Sequence, residues 1–137
     1  MSLDSFGDIN YLAVLVAAAA YSALGALWYS PALFGRAWME ASGVRPEAGA
    51  NATPLYLLSF VAWFIVSLAL AFLAQETGSE TFRDGILLGL VAAIGFVLTT
   101  FAVNMAFESR PKGLYLINIG YDVVGFLIAA VIVTVWD

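Results

Sequence analysis

Ile86-Leu87-Leu88-Gly89-Leu90-Val91-Ala92-Ala93-Ile94-Gly95-Phe96-Val97-Leu98 carries no charged side chain and no amide. A soluble helix of that length shows a polar face recurring about every 3.6 residues. None is present, so this stretch suits hydrocarbon and not water. It belongs to one of four apolar runs, at about residues 9–29, 55–74, 85–107 and 114–136 of the 137-residue chain. A hydrocarbon core about 30 Å thick needs on the order of 20 helical residues rising about 1.5 Å each, and every run is that long. The expectation is an all-α integral membrane protein, four transmembrane helices in a compact bundle, forming a single membrane domain over 1–137.

Composition points the same way. Hydrophobic residues make up 63% and charged residues 11%, against roughly 25% charged in a soluble domain. Cysteine and histidine are both absent. Their absence excludes disulfides, thiolate nucleophiles, haem held by His or Cys, and the usual zinc sites. No metal site, cofactor or catalytic residue is expected, and an enzyme would need paired acid–base groups that the spans lack. The net charge of −5 excludes nucleic acid, which requires basic patches.

Residues 1–8 hold Asp4 and Asp8 but no Lys or Arg, so they lack the basic region of a secretory signal and the first span is expected to be retained. Of the five basic residues, Arg36, Arg45, Arg110 and Lys112 lie in loops on one side and Arg83 on the other. The positive-inside rule then places both termini outside a cell membrane and the basic loops in the cytoplasm.

Loops carry further signals. Ser79 or Thr81 is positioned to cap the third span. Pro31 should end or kink the first, because it removes a backbone donor and restricts Ser30. Beyond it, Leu33, Phe34, Ala37, Trp38 and Ala41 share one helical face, with Arg36 and Glu40 on the other. That pattern predicts a short amphipathic helix over residues 33–41, lying in the interface with Trp38 at headgroup level, before a Gly/Pro/Ala stretch running to Pro54. Membrane lipids are the expected partners of this segment.

The same residues carry a family likeness. Gly25-Ala26-Leu27-Trp28-Tyr29-Ser30-Pro31, followed by Leu33-Phe34-Gly35-Arg36-Ala37-Trp38-Met39, resembles the signature of uncharacterised bacterial and archaeal membrane proteins grouped as domain of unknown function 1761. Gly95-Phe96-Val97, Asn104, Phe107-Glu108-Ser109-Arg110-Pro111, Gly120-Tyr121 and Val124-Gly125 extend the likeness over nearly the whole chain. It implies a small four-helix membrane protein and supplies no activity. One departure is Asp122, where such proteins often carry His.

Asp122 is the most costly residue in the spans. An ionised carboxylate in hydrocarbon costs several kcal/mol unless paired or solvated, so it should face the bundle interior or a water-filled cavity. Asn118, Tyr121, Asp122 and Gly125 lie three or four apart and form one stripe. An antiparallel hairpin turning near Pro111 would place Asn104 opposite Asn118 and Thr99 or Thr100 opposite Asp122. Tyr21 and Ser22 lie at a similar depth in the first span. The candidate site is thus Tyr21, Ser22, Thr100, Asn104, Asn118, Tyr121 and Asp122. It serves either as a proton- or cation-responsive group or as an interhelical hydrogen-bond network worth about 0.6 kcal/mol per contact.

Small residues at Ala18, Ser22 and Ala26, at Gly85, Gly89 and Ala93, and at Gly125 and Ala129 mark faces for close helix approach. Tyr11, Tyr56, Tyr115 and Trp136 suit interfacial anchors, while Trp63 sits deeper. Two functions from different classes follow. One is a small transporter or channel, oligomeric because four helices line a pathway poorly, with Asp122 as its binding group. The other is an accessory protein binding lipid or another membrane protein. An open cavity reaching Asp122 favours the first, and a fully packed bundle the second.

Overall fold

The computed structural model describes residues 1–45 and 51–136. Residues 46–50, the middle of the Gly/Pro/Ala stretch, and residue 137 lie outside the described residues. Every regular element described is helical. After a 3₁₀ turn at Leu3–Asp8 come α1 (Tyr11–Trp28), α2 (Gly35–Ser42), α3 (Thr53–Thr77), α4 (Phe82–Glu108) and α5 (Lys112–Val135). The four long helices α1, α3, α4 and α5 are each apolar and long enough to cross a membrane.

Local chemistry sets their ends. Asn10 caps α1 by accepting from the backbone amides of Leu12 and Ala13. Thr81 caps α4, and Asp84 reaches back to the Thr81 amide to complete a capping box. Ser79 pairs with the Thr77 hydroxyl instead. Pro31 falls in the turn that ends α1, where the Phe34 amide donates to the Trp28 carbonyl at 2.9 Å and the Gly35 amide to the Ser30 carbonyl at 3.0 Å. Because Leu33 and Phe34 belong to this turn, α2 starts at Gly35 and not at residue 33. A Cβ at Gly35 would collide with the Tyr29 and Ser30 carbonyls, so only glycine seats α2 this closely.

Two molecular ends result. Ser2 and Ser5 bond to the Glu76 carboxylate, and the Asn10 amide donates to the Trp136 carbonyl at 3.4 Å. The amino terminus, the α3–α4 turn and the end of α5 therefore meet. Arg36 of α2, Arg45, Arg110 and Lys112, the first residue of α5, lie at the opposite end.

Helix α5 is the hub, packed by α1, α3 and α4. In lipid no hydrophobic force drives helices together, so close backbone approach matters more. The α1–α5 contact is reciprocal. The Tyr21 ring lies on Gly125, the Tyr121 hydroxyl lies over Gly25, and the Trp28 ring lies over Gly120. Each helix thus offers a tyrosine and, four residues on, a glycine that receives the other's ring. On the other side Gly85 and Gly89 pack against the backbone of Val131 and Leu127, with Ala93 buried on the same face. The Gly85-to-Gly89 spacing is used within one chain.

One feature breaks the α-helical period. Residues Ala93–Leu98 of α4 form a π-helical segment, which adds a residue to the turn. Thr99 and Thr100 donate their hydroxyls to the Gly95 and Phe96 carbonyls at 2.8 and 2.5 Å, satisfying acceptors in that segment. Beyond it the face of α4 that meets the bundle moves one position along the chain: Phe101 and Met105 are partly buried, whereas Thr100 and Asn104 are exposed.

Candidate functional site

The site begins with the Tyr21–Gly125 contact. Tyr21 is fully buried, pressed onto Gly125 on one side and stacked on the Trp63 indole of α3 on the other, ring centroids 4.0 Å apart and planes within 4°. Held there, its hydroxyl donates to Asp122 Oδ1 at 2.7 Å. Among the described residues, Asp122 Oδ2 accepts no hydrogen bond. Asp122 is 8% exposed, so its carboxyl faces protein and a narrow opening.

Around it the aromatic rings interlock. Tyr121 meets Tyr21 edge-on at 5.1 Å and Trp63 at 5.8 Å, and its hydroxyl donates to the Tyr21 carbonyl at 2.9 Å. Tyr29 donates to Asn118 Oδ1 at 2.7 Å and packs edge-on against Trp38 of α2. Trp28 donates its indole N–H to the Ile117 carbonyl at 3.0 Å. Edge-to-face and stacked pairs of this kind each contribute about 0.5–1.5 kcal/mol beyond packing.

Above Asp122 lies a cleft of about 760 Å³ lined by α1, α3, α4 and α5. Tyr29, Tyr56, Phe60, Trp63 and Phe101 supply aromatic wall, and Asp122 with Tyr121 and Asn118 supplies one side. It runs from Thr53, in the first turn of α3, to Trp63, about 15 Å at the helical rise. Asp122 lies about the same distance inside α5 from Lys112, near the middle of a 30 Å core. Among the described residues, no Lys or Arg lines the cleft.

Of the residues named from sequence, Tyr21, Tyr121, Asn118 and Asp122 are brought together, and Tyr21 is the acid's partner. Ser22 lines the cleft, with its hydroxyl committed to the Ala18 carbonyl at 2.9 Å. Thr100 and Asn104 are not brought to Asp122. The π-helical segment rotates them outward, and the Thr100 hydroxyl serves its own helix. Phe101 stands at the cleft in place of Thr100. Trp63 was separable in the sequence from the anchoring aromatics only by its depth in the span.

The motif at the end of α1 has a structural use. Trp28, Tyr29, Ser30 and Pro31 form the turn, Phe34 tilts onto Trp28 at 4.8 Å, and Gly35 and Trp38 dock α2 against Tyr29. Arg36 is exposed. Two smaller crevices beneath α2, of about 400 and 570 Å³, also touch Asn118; one is edged by Arg110 and the other by Tyr29 and Trp38. The Tyr29–Asn118 hydrogen bond therefore stands between the Asp122 cleft and the α2 crevices.

The family model described as Protein of unknown function (DUF1761) matches residues 12–134. The chain belongs to that family. No curated protein and no solved structure matches it.

Proposed function

We propose that this family member is a cation-responsive membrane protein, a small transporter or channel in which Asp122 is the ion- or proton-binding group. One observation carries the reading: the carboxyl lies at the floor of an open cleft and, among the described residues, Tyr21 is its one donor and no basic side chain lines the space. A carboxyl that borders the cleft with its second oxygen unpaired among the described residues is placed to receive a proton or cation.

The membrane in question is the plasma membrane, with both termini outside and the end bearing Arg36, Arg45, Arg110 and Lys112 in the cytoplasm. The distribution of basic residues supports this, since four of the five lie at that end and Arg83 at the other. The cleft then opens toward the cytoplasm. Because four helices leave one side of it unclosed, the working unit is a homo-oligomer. The outward face of α3, with Leu55, Leu58, Val61 and Ile65 exposed, is the surface available for lipid or a second copy.

Reconstituted protein should show pH-dependent cation or proton flux that Asp122→Asn removes while helicity and elution volume stay unchanged. Equal flux in wild type and variant would end the transport reading.

A further inference from the structure

We infer that the Asp122 cleft takes an organic cation with an aromatic or branched apolar body, and not a bare metal ion; this rests on the cation-binding reading above and names its ligand. The argument begins with the oxygens. A metal ion must replace its hydration shell with several well-placed oxygen ligands, six to eight for calcium and near-octahedral six for magnesium. Most hydroxyls around this cleft are held in place by hydrogen bonds within the protein, and the others, on Thr53 and Tyr56, belong to the first turn of α3 at the mouth of the cleft. Tyr21 donates to Asp122, Tyr121 to the Tyr21 carbonyl, Tyr29 to Asn118, Ser22 to the Ala18 carbonyl and Ser59 to the Leu55 carbonyl. Among the described residues no group of three acidic, His or Cys side chains is placed to hold a metal. A small hydrated ion entering here would lose water and gain one carboxylate.

The same lining suits a weakly hydrated cation. Such a ligand needs one counter-charge and aromatic faces, which attract it through their quadrupoles within about 6 Å of the ring centroid. Asp122 provides the counter-charge and Tyr56, Phe60, Trp63 and Phe101 the faces. Size agrees as well: about 760 Å³ falls in the range of clefts that hold drug-sized molecules and is far larger than one ion requires. The opening beside the exposed first turns of α3 lets a ligand with an apolar body enter from the interface. Its charge then meets Asp122 at the floor and its rings lie against the wall.

Tetraphenylphosphonium is the probe. Equilibrium dialysis against the purified full chain in nanodiscs should show saturable binding, weakened at least about tenfold by Asp122→Asn, an effect of the size expected for a partly desolvated charge contact. Tyr56→Ala, at a side chain 71% exposed and so free of any packing duty, should weaken it several-fold without changing helicity. The neutral analogue triphenylphosphine oxide should fail to compete. Undiminished binding by Asp122→Asn, or full competition by the neutral analogue, would mean apolar partitioning alone and would overturn the inference. Asp122-dependent proton or sodium flux without saturable phosphonium binding would overturn the ligand class and leave the cation-responsive reading standing. Absence of both would remove the two together.

Discussion

Substituting Gly125 by alanine tests the contact on which the site is built. The new Cβ would overlap three atoms of the Tyr21 ring, Cδ1 at 2.8 Å and Cε1 and Cζ closer still. Carbon atoms prefer about 3.5–4.0 Å, so the ring must retreat by about 1 Å. It has nowhere to go, because Trp63 is already stacked on its far side at 4.0 Å. Overpacking of this kind costs about 1–3 kcal/mol. Displacing the ring also weakens the Tyr21–Asp122 hydrogen bond, worth about 0.6 kcal/mol in membranes and at most about 1.7, and part of an aromatic pair worth about 0.5–1.5. Against these stands the helix propensity gained on replacing glycine by alanine, about 1 kcal/mol. The clash wins, and the net loss should be about 1–3 kcal/mol.

Reversible unfolding in mixed micelles titrated with sodium dodecyl sulfate, followed by circular dichroism, measures the difference. Gly95→Ala is the internal control, since a Cβ there meets nothing within 4 Å and should leave stability equal or slightly higher. A double-mutant cycle with Tyr21→Leu isolates the contact. Once the ring is gone the clash goes with it and only the propensity gain remains, so Gly125→Ala should then stabilise by up to about 1 kcal/mol. Wild-type stability for Gly125→Ala in the Tyr21 background would refute the reciprocal packing of α1 and α5.

Gly89→Leu should destabilise by about 2 kcal/mol or more, because a Cβ already lies 3.1 Å from the Leu127 Cα, while oligomeric state by native mass spectrometry stays unchanged. Dissociation of an oligomer without loss of monomer stability would instead put that face between chains. Single cysteines at Ser2 and Glu80 should react with an impermeant maleimide from one side of the membrane and a cysteine at Arg110 from the other; a shared side for positions 2 and 110 would overturn the topology. Tyr29→Phe removes the donor to Asn118 and should raise maleimide labelling of Ala26→Cys in the cleft several-fold, and unchanged labelling would show that this hydrogen bond does not separate cleft from crevice.

What the sequence allowed, and what it did not, divides along a physical line. The four long helices were legible because hydropathy over about 20 residues is an additive signal, insensitive to how the helices later pack. Asp122 stood out because a carboxylate in a span is costly wherever it points. Tyr21 was found by counting depth, which works while every helix rises regularly. Thr100 and Asn104 were misplaced because a count of depth back from the turn near Pro111 does not fix which face of the helix a residue takes. That face depends on helical phase, and the extra residue of the π segment Ala93–Leu98 shifts it by one position. Nothing in Ala93-Ile94-Gly95-Phe96-Val97-Leu98 announces that change, although the Thr99-Thr100 pair able to satisfy the freed carbonyls follows directly.

That shift of phase also explains why a cleft exists. Before the π segment, α4 presents Gly85, Gly89 and Ala93 to α5, and the backbones close up. After it, the inward positions are Phe101 and Met105, too large for such an approach, and α4 no longer seals against α5. On the far side α3 is held to α1 at Trp63 by the Tyr21 stack, but its earlier residues Leu55, Tyr56, Leu57 and Leu58 find no glycine to receive them and stay exposed. Two helices are thus pinned near the membrane centre and left apart toward the basic end. The opening between them reaches down to the level at which the pinning stops, and Asp122 sits at that level, bonded to the tyrosine that makes the pin.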